Sequence, residues 1–258
     1  MAQTKRYVTE TGSGTGTGNW GNASNDLQDM INQSAAGDTV CVAAGTYKPI
    51  YRADSCYSTP ANSTPNDSNN AFVLKADVVV LGGYNPFTGN RDWNANITIL
   101  SGDIGTSNDM SDNCFHVVIV AGNLGNAVLD GFRITKGNAR YIDNMNSYVV
   151  VIVNGNDISS TSGGGIYIWN SFINLRNLII ENNSAYGYGG GGIYVAYGML
   201  NILDSVKIAN NTANYGGGIF VHGTLINISN STKIIGNTAS LGGGICASGI
   251  SSGGNANK

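Results

Sequence analysis

The stretch "NYGGGIFVHG", Asn214 to Gly223, places three glycines ahead of an alternating apolar run. The same arrangement opens at Gly163 ("GGGIYIW"), Gly190 ("GGGIYVA") and Gly242 ("GGGICAS"). The isoleucines that follow are Ile166, Ile193, Ile219 and Ile245, at steps of 27, 26 and 26 residues. Self-similarity at a fixed period points to an array and outranks local propensity. After the GGGI strand each unit carries a second apolar segment: "FINLRNLII", "MLNILDSVKI" or "TLINISNSTKI". It ends on a corner: Asn183-Ser184-Ala185, Asn211-Thr212-Ala213 or Asn237-Thr238-Ala239. One such unit cannot bury its own apolar face. Stacked units can, with equivalent strands about 4.8 Å apart. The repeat therefore predicts a coil of parallel strands. Leucine-rich repeats need an LxxLxL pattern that is absent, and propeller blades need roughly 40 residues or more. A β-sandwich calls for Asn-Gly or Asp-Gly pairs between equal strands, and we read none here.

The glycines have two physical causes in such a coil. A sharp corner often requires positive φ, which glycine tolerates. Stacked corners also leave little room for Cβ atoms. A phosphate-cradling loop would need a helix after the glycines, and none follows. A calcium-binding nonapeptide repeat would need Asp after GGxG, which these units lack.

Composition agrees with short strands and tight turns. The chain has 258 residues, 37 of them glycine, 4 proline and about 35 asparagine, with 41% hydrophobic and 11% charged. Its Val and Ile content argues against disorder. Net charge is −3 with no basic cluster, so nucleic acid is not an expected partner. No apolar run reaches the length of a membrane span. "MAQTKRYV" reads as an initiator Met on an already processed chain, with no signal peptide. Cys41, Cys56, Cys114 and Cys246 match no zinc or redox spacing. Three disulfide pairings are open to them, and free buried thiols are an equal alternative.

Toward the N-terminus, Asn25 and Gln28 form an expected capping box for a short helix. Leu27, Met30 and Ile31 share its apolar face, and Gly37 ends the segment. "TVCVAAG" follows as a strand. Residues 51–70 are polar and read as an exposed loop. Further strands are expected in "AFVLKADVVVLGGY", "ITIL", "FHVVIV", "AVLDGFRI" and "SYVVVIV", with no second helix. The chain is thus read as one domain. Residues 1–39 form its N-terminal strand, loop and capping helix, 40–162 irregular coils with loop insertions, and 163–258 the regular repeats. Length divided by repeat gives roughly nine or ten coils.

The GGGI and IxxN pairs (Ile180 to Asn183, Ile208 to Asn211, Ile234 to Asn237) resemble the repeats of chlamydial polymorphic outer-membrane proteins. The N-terminal half resembles long secreted β-helix proteins of Bacteroidetes. It does so through "TGSGTGTGNWGNASNDLQ", "GDTVCVAAGTYKP", "FVLKADVVVLGGY", "NRDWNANITILSGDI", "DNCFHVVIV" and "AVLDGFRITKGNA". Cys41 and Leu81 stand where those proteins lead one to expect aromatic residues, and Asn96-Ile97 stands where they lead one to expect Asn-Pro. The resemblance is to pectin-lyase-like bacterial surface proteins. It implies an all-β fold, a right-handed parallel β-helix with a short N-terminal capping α-helix. It also implies a protein secreted across the outer membrane to the cell surface or beyond. The chain then reads as an N-terminal piece of a longer protein that continues into further β-helix.

The resemblance extends to polysaccharide lyases and hydrolases, whose chemistry needs suitably placed carboxylates. Glycoside hydrolysis needs two carboxylates across a cleft. The repeats offer only Glu181 and Asp204, at positions that do not stack. Asp103, Asp109 and Asp112 cluster in "SGDIGTSNDMSDN", read as a polar turn. His116 and His222 are isolated and read as strand-surface residues. No catalytic residue, cofactor or metal is therefore assigned. Three ladders remain. Asn183, Asn211 and Asn237 are expected to hydrogen-bond along the stack. Lys207 and Lys233 should stack side by side and point to solvent, with an attraction for acidic glycans. Tyr167, Tyr194 and Phe220 should form an outward aromatic stripe suited to sugar stacking or protein contact. The expected function is a non-enzymatic adhesin or stalk binding glycan or a surface protein through flat faces, with no membrane insertion of its own. A pectate-lyase-type enzyme and a purely structural spacer are the alternatives.

Overall fold

The structure, a computed structural model, describes residues 3–56, 64–122, 125–229 and 231–249. Residues 57–63 of the polar stretch and 250–258 of the repeat region lie outside the described residues. The chain is mostly strand, with several parallel sheets and, among the described residues, one α-helix, Leu27–Gln33. No helix there is long and apolar enough to cross a membrane.

In the repeat region the chain visits four sheets in fixed rotation. It runs from Ile166–Trp169 in sheet 1 to Phe172–Arg176 in sheet 2, then Ile179–Glu181 in sheet 3 and Ser184–Ala185 in sheet 4. It returns to sheet 1 at Ile193–Ala196 and repeats the circuit until Ile245–Ser248. Every strand in the rotation pairs in parallel with its equivalent one period away. Ile166, Ile193, Ile219 and Ile245 form one register column, which Val118 and Phe72 extend into the N-terminal half. Ile180, Ile208 and Ile234 form a second, and the corner alanines Ala185, Ala213 and Ala239 a third. The 26-residue period is thus the length of one circuit.

Among the described residues the deepest sheet holds seven strands, not the nine or ten layers expected. Dividing length by repeat overcounts because the N-terminal half spends residues off the sheets, in the helix and in long connections. One connection is a hairpin. Val150–Val153 pairs antiparallel with Asn156–Ser159 around Asn154-Gly155, so one Asn-Gly pair does stand between equal strands, contrary to expectation.

The apolar residues form two main layers. Inward positions of all three large sheets, such as Ile168, Ile193, Leu175, Leu200, Ile180 and Ile208, close into one core. The opposite face of sheet 1 is also buried. Ile119, Tyr167, Tyr194, Ala196 and Phe220 pack there against Val151, Val153 and Ile158 of the hairpin and Tyr51, Ala53 and Cys56. So the stretch read as an exposed loop is, over 51–56, partly a lid on sheet 1.

The helix closes the N-terminal end. Its cap is Asp26, which accepts the Asp29 N–H at 2.9 Å, and not Asn25. Leu27, Met30 and Ile31 are buried as expected. Gln28, 3% exposed, does other work than capping. Its amide donates to the Val73 carbonyl at 3.0 Å and accepts the Val73 N–H at 2.8 Å. Strand Phe72–Val73 is the end strand of sheet 1, so this one side chain supplies the hydrogen bonds of a missing neighbour.

Two devices hold the corners. The first glycine of each triplet is left-handed, with φ of 69°, 72°, 58° and 66° at Gly163, Gly190, Gly216 and Gly242. At the third, a Cβ on Gly165, Gly192 or Gly218 would lie 2.5–2.6 Å from the carbonyl oxygen of the equivalent glycine one layer on. Beside them runs the asparagine ladder. Asn183 Nδ2 donates to Asn211 Oδ1 at 3.0 Å, and Asn211 Nδ2 to Asn237 Oδ1 at 3.0 Å. The same amides cap the carbonyls of Ile134, Ile180 and Ile208 in the preceding layer.

Asn211→Leu leaves the Ile180 carbonyl and the Asn183 N–H without these partners. It should destabilise the protein by about 3 kcal/mol in urea titrations, and a loss under about 0.5 kcal/mol would remove the ladder from the stabilising interactions. Gln28→Leu keeps the apolar stem but strips the sheet end of both hydrogen bonds. The expected cost is about 2 kcal/mol, with hydrogen exchange at Val73 rising before global unfolding.

Candidate functional site

Strand alternation sends Tyr167, Tyr194 and Phe220 away from the main core, as read, and they do form a stacked column. Ring centroids lie 4.9 and 5.7 Å apart. The column is not an exposed stripe. The three are 3%, 9% and 8% exposed, under the hairpin and the 51–56 segment. A face buried on both sides of a sheet carries no sequence mark of which remote segment covers it.

His116 belongs to this buried layer and is not on a strand surface. Its Nδ1–H donates to the Gly163 carbonyl at 3.0 Å, and its ring meets Tyr167 edge-on at 5.1 Å. Burial pushes its pKa down to about 4, against the opposing pull of the backbone groups of Gly163, Ser159 and Ser162. His222 is half-buried, with Nε2 2.9 Å from the Tyr197 hydroxyl and Nδ1 3.0 Å from Ser248 Oγ.

The acidic loop does not converge. Burial pushes the Asp103 carboxyl up, but Lys136, at 2.6 Å, and the Asn108 N–H outweigh it and hold it below the usual range. Asp109 accepts from the Ser111 hydroxyl and N–H at 2.7 and 2.8 Å, which lowers its pKa. Asp112 accepts the Thr106 N–H at 2.6 Å. Each carboxylate has its own partners. Among the described residues no cluster of His, Cys, Asp and Glu is placed to hold a metal ion. All four cysteines are free thiols, and burial raises Cys56 and Cys114 to about 12.

Lys207 and Lys233 are paired in register on the outer face of sheet 3, half-buried and exposed respectively. Glu181, two residues beyond the same column, pairs with Arg133 at 3.3 Å. An open groove of about 200 Å³ runs over the lysines, walled by Trp93.

The residue reading missed a second surface, on the outer face of sheet 2. Phe172, Met199 and Leu225 stand in one column and Asn174, Asn201 and Asn227 in the next. The asparagine amides chain together at 2.9 and 2.7 Å. The alternate positions of "FINLR", "MLNIL" and "LINI" carried that signal. At the adjoining corner Trp169, Tyr197 and His222 pack edge-on at 5.0 and 5.2 Å. Tyr197 is 50% exposed with φ 54°, where the equivalent corners hold Gly122, Asn170, Gly223 and Gly249. It is the one aromatic among the described non-glycine residues with positive φ.

The depressed His116 pKa sets a sign for acid stability. Between about 4 and its ordinary 6.5 the unfolded chain binds a proton that the folded chain refuses. Stability should therefore fall as pH drops through that window, by up to about 3 kcal/mol from this residue, and lose nothing more to it below pH 4. Denaturation midpoints at pH 7 and 4.5 for the parent and for His116→Asn check this. Equal pH sensitivity in both proteins would exclude His116 as the cause.

Compared with protein-family models, curated proteins and solved structures, the chain has no match in any of the three.

Proposed function

We propose that the chain is a right-handed parallel β-helix from a bacterial surface or secreted protein. In this reading it acts as a non-enzymatic adhesin or stalk that presents flat faces to glycan or protein. The fixed rotation through four parallel sheets supports the coil. The strong bias of parallel crossovers toward one hand supports right-handedness. The resemblance of the repeats to chlamydial outer-membrane proteins, and of the N-terminal half to secreted Bacteroidetes proteins, supports the location.

One observation carries the binding role: the two uncharged columns on the outer face of sheet 2 and their corner. Phe172, Met199 and Leu225 form an apolar rail beside an amide rail of Asn174, Asn201 and Asn227. Trp169 and Tyr197 close one side of it. Aromatic and apolar surface next to fixed amides, repeating every 4.8 Å or so, suits a chain of sugar rings. Tyr197 strengthens the case. A bulky residue in the left-handed region costs about 1–2 kcal/mol, and strain of that kind concentrates at functional positions. The lyase alternative rests on fold analogy alone, with Asp103, Asp109 and Asp112 each engaged with separate partners.

A glycan array run beside a lyase assay on acidic polysaccharides, with and without calcium, tests this. Array binding without unsaturated product is expected. Tyr197→Asn, which suits the backbone and removes the ring, should weaken binding about fivefold while stability changes by less than about 1 kcal/mol. Unsaturated product would replace the adhesin with an enzyme, and silence in both assays would leave a spacer.

A further inference from the structure

We propose that the groove on the outer face of sheet 3 binds the anionic groups, carboxylate or sulfate, of an acidic glycan, with Trp93 as the platform for a sugar ring. This rests on the glycan-binding reading but concerns a different face. Its floor is built twice from one pattern. "SVK", Ser205 to Lys207, and "STK", Ser231 to Lys233, lie in adjacent layers, with Lys207 directly beside Lys233. In-register backbones stand about 4.8 Å apart, so two ammonium groups share one short stretch of surface.

Such a pair is unfavourable unless something offsets it. Other charges near this face have partners. Arg133, in the same column two layers earlier, has Glu181. Arg176 has Asp204 at 3.7 Å. Asp92, beside Trp93, accepts the Asn94 and Ala95 N–H groups at 3.0 and 3.2 Å within its own turn. Among the described residues neither lysine has a carboxylate within ion-pair distance. Two cations left facing one groove are complementary to a polymer that carries repeated negative charge.

The platform is held in place. Trp93 lies on the connection between Val79–Tyr84 and Thr98–Ser101. The Asp92 N–H donates to the Gly83 carbonyl at 2.8 Å and the Asn96 N–H to the Asp92 carbonyl at 2.8 Å. The turn packs so closely that a Cβ on Gly83 would lie 2.6 Å from Trp93 Cα. The half-exposed Trp93 therefore lines the groove with Ile179 and the lysines from a backbone already held in place. A fixed aromatic wall with two cations and serine hydroxyls on the floor can stack a sugar ring and pair with its acidic substituent.

Titration calorimetry with matched probes tests this: dextran sulfate against dextran, and oligoglucuronate against its carboxyl-reduced neutral form. The charged members should bind the groove and the neutral ones should not. Lys207→Gln and Lys233→Gln should each weaken binding about threefold and together about tenfold, and raising salt from 50 to 500 mM should weaken the parent. Trp93→Phe should retain binding and Trp93→Ser lose about fivefold. Exposed Lys48, outside the groove, is the control, and Lys48→Gln should change nothing. Equal loss from Lys48→Gln, or equal binding of charged and neutral probes, would overturn this site and leave the sheet 2 face standing. Absence of all glycan binding, on the array as well, would remove both.

Discussion

Each position along a circuit sits beside its own copy in the next layer, about 4.8 Å away, and every residue must tolerate that neighbour. Aliphatic side chains do so by packing, as in the column from Phe72 to Ile245. Asparagine does better than tolerate it, because its amide carries both a donor and an acceptor and can pass a hydrogen bond from layer to layer. That happens inside, from Asn183 to Asn237, and outside, from Asn174 to Asn227. Charge tolerates it worst. An 11% charged composition with about 35 asparagines is what this constraint selects. The left-handed corners add to the same bias, since eight of the twelve described non-glycine residues with positive φ are asparagine.

The second buried layer follows from the same stacking. Sheet 1 alternates Ile and Tyr or Phe, so one face fills the main core and the other must be covered or wetted. The Asn154-Gly155 hairpin and residues 51–56 cover it. They come from connections that leave the circuit and fold back over it. His116 is drawn into this layer as a neutral, hydrogen-bonded group, which explains both its depressed pKa and its link to the left-handed Gly163.

The parts of this architecture that repeat were legible in the sequence, and the parts that occur once were not. The isoleucine, alanine and asparagine columns followed from period alone, because each copy tests the others. The Lys207–Lys233 pairing was legible for the same reason. Single features lacked that check. The helix cap fell on Asp26, one residue from Asn25, because Asn and Asp are near-equal caps and Gln28 was needed by Val73. The aromatic column was assigned the correct face but the wrong exposure, since no pattern in "IYI" or "IFV" names its cover. Trp93 joins the lysines through a connection more than a hundred residues away in sequence, which no spacing rule links to them.

If the two proposed faces bind as inferred, a stack of like layers also determines how they arise. Within one layer the outward residue of sheet 2 and that of sheet 3 face different directions, so the same repeats build an uncharged aromatic and amide rail and a cationic groove independently. Neither needs a cleft. The spacing of both is the spacing of the backbone, and a polymer whose own repeat is commensurate with it meets several equivalent contacts at once. Affinity in such a system grows with the number of layers engaged more than with the strength of any one contact. In the proposed reading, modest contributions from Phe172, Tyr197 or Lys207 therefore suffice, and a single strained tyrosine in a corner otherwise held by glycine and asparagine is a cost the stack can carry.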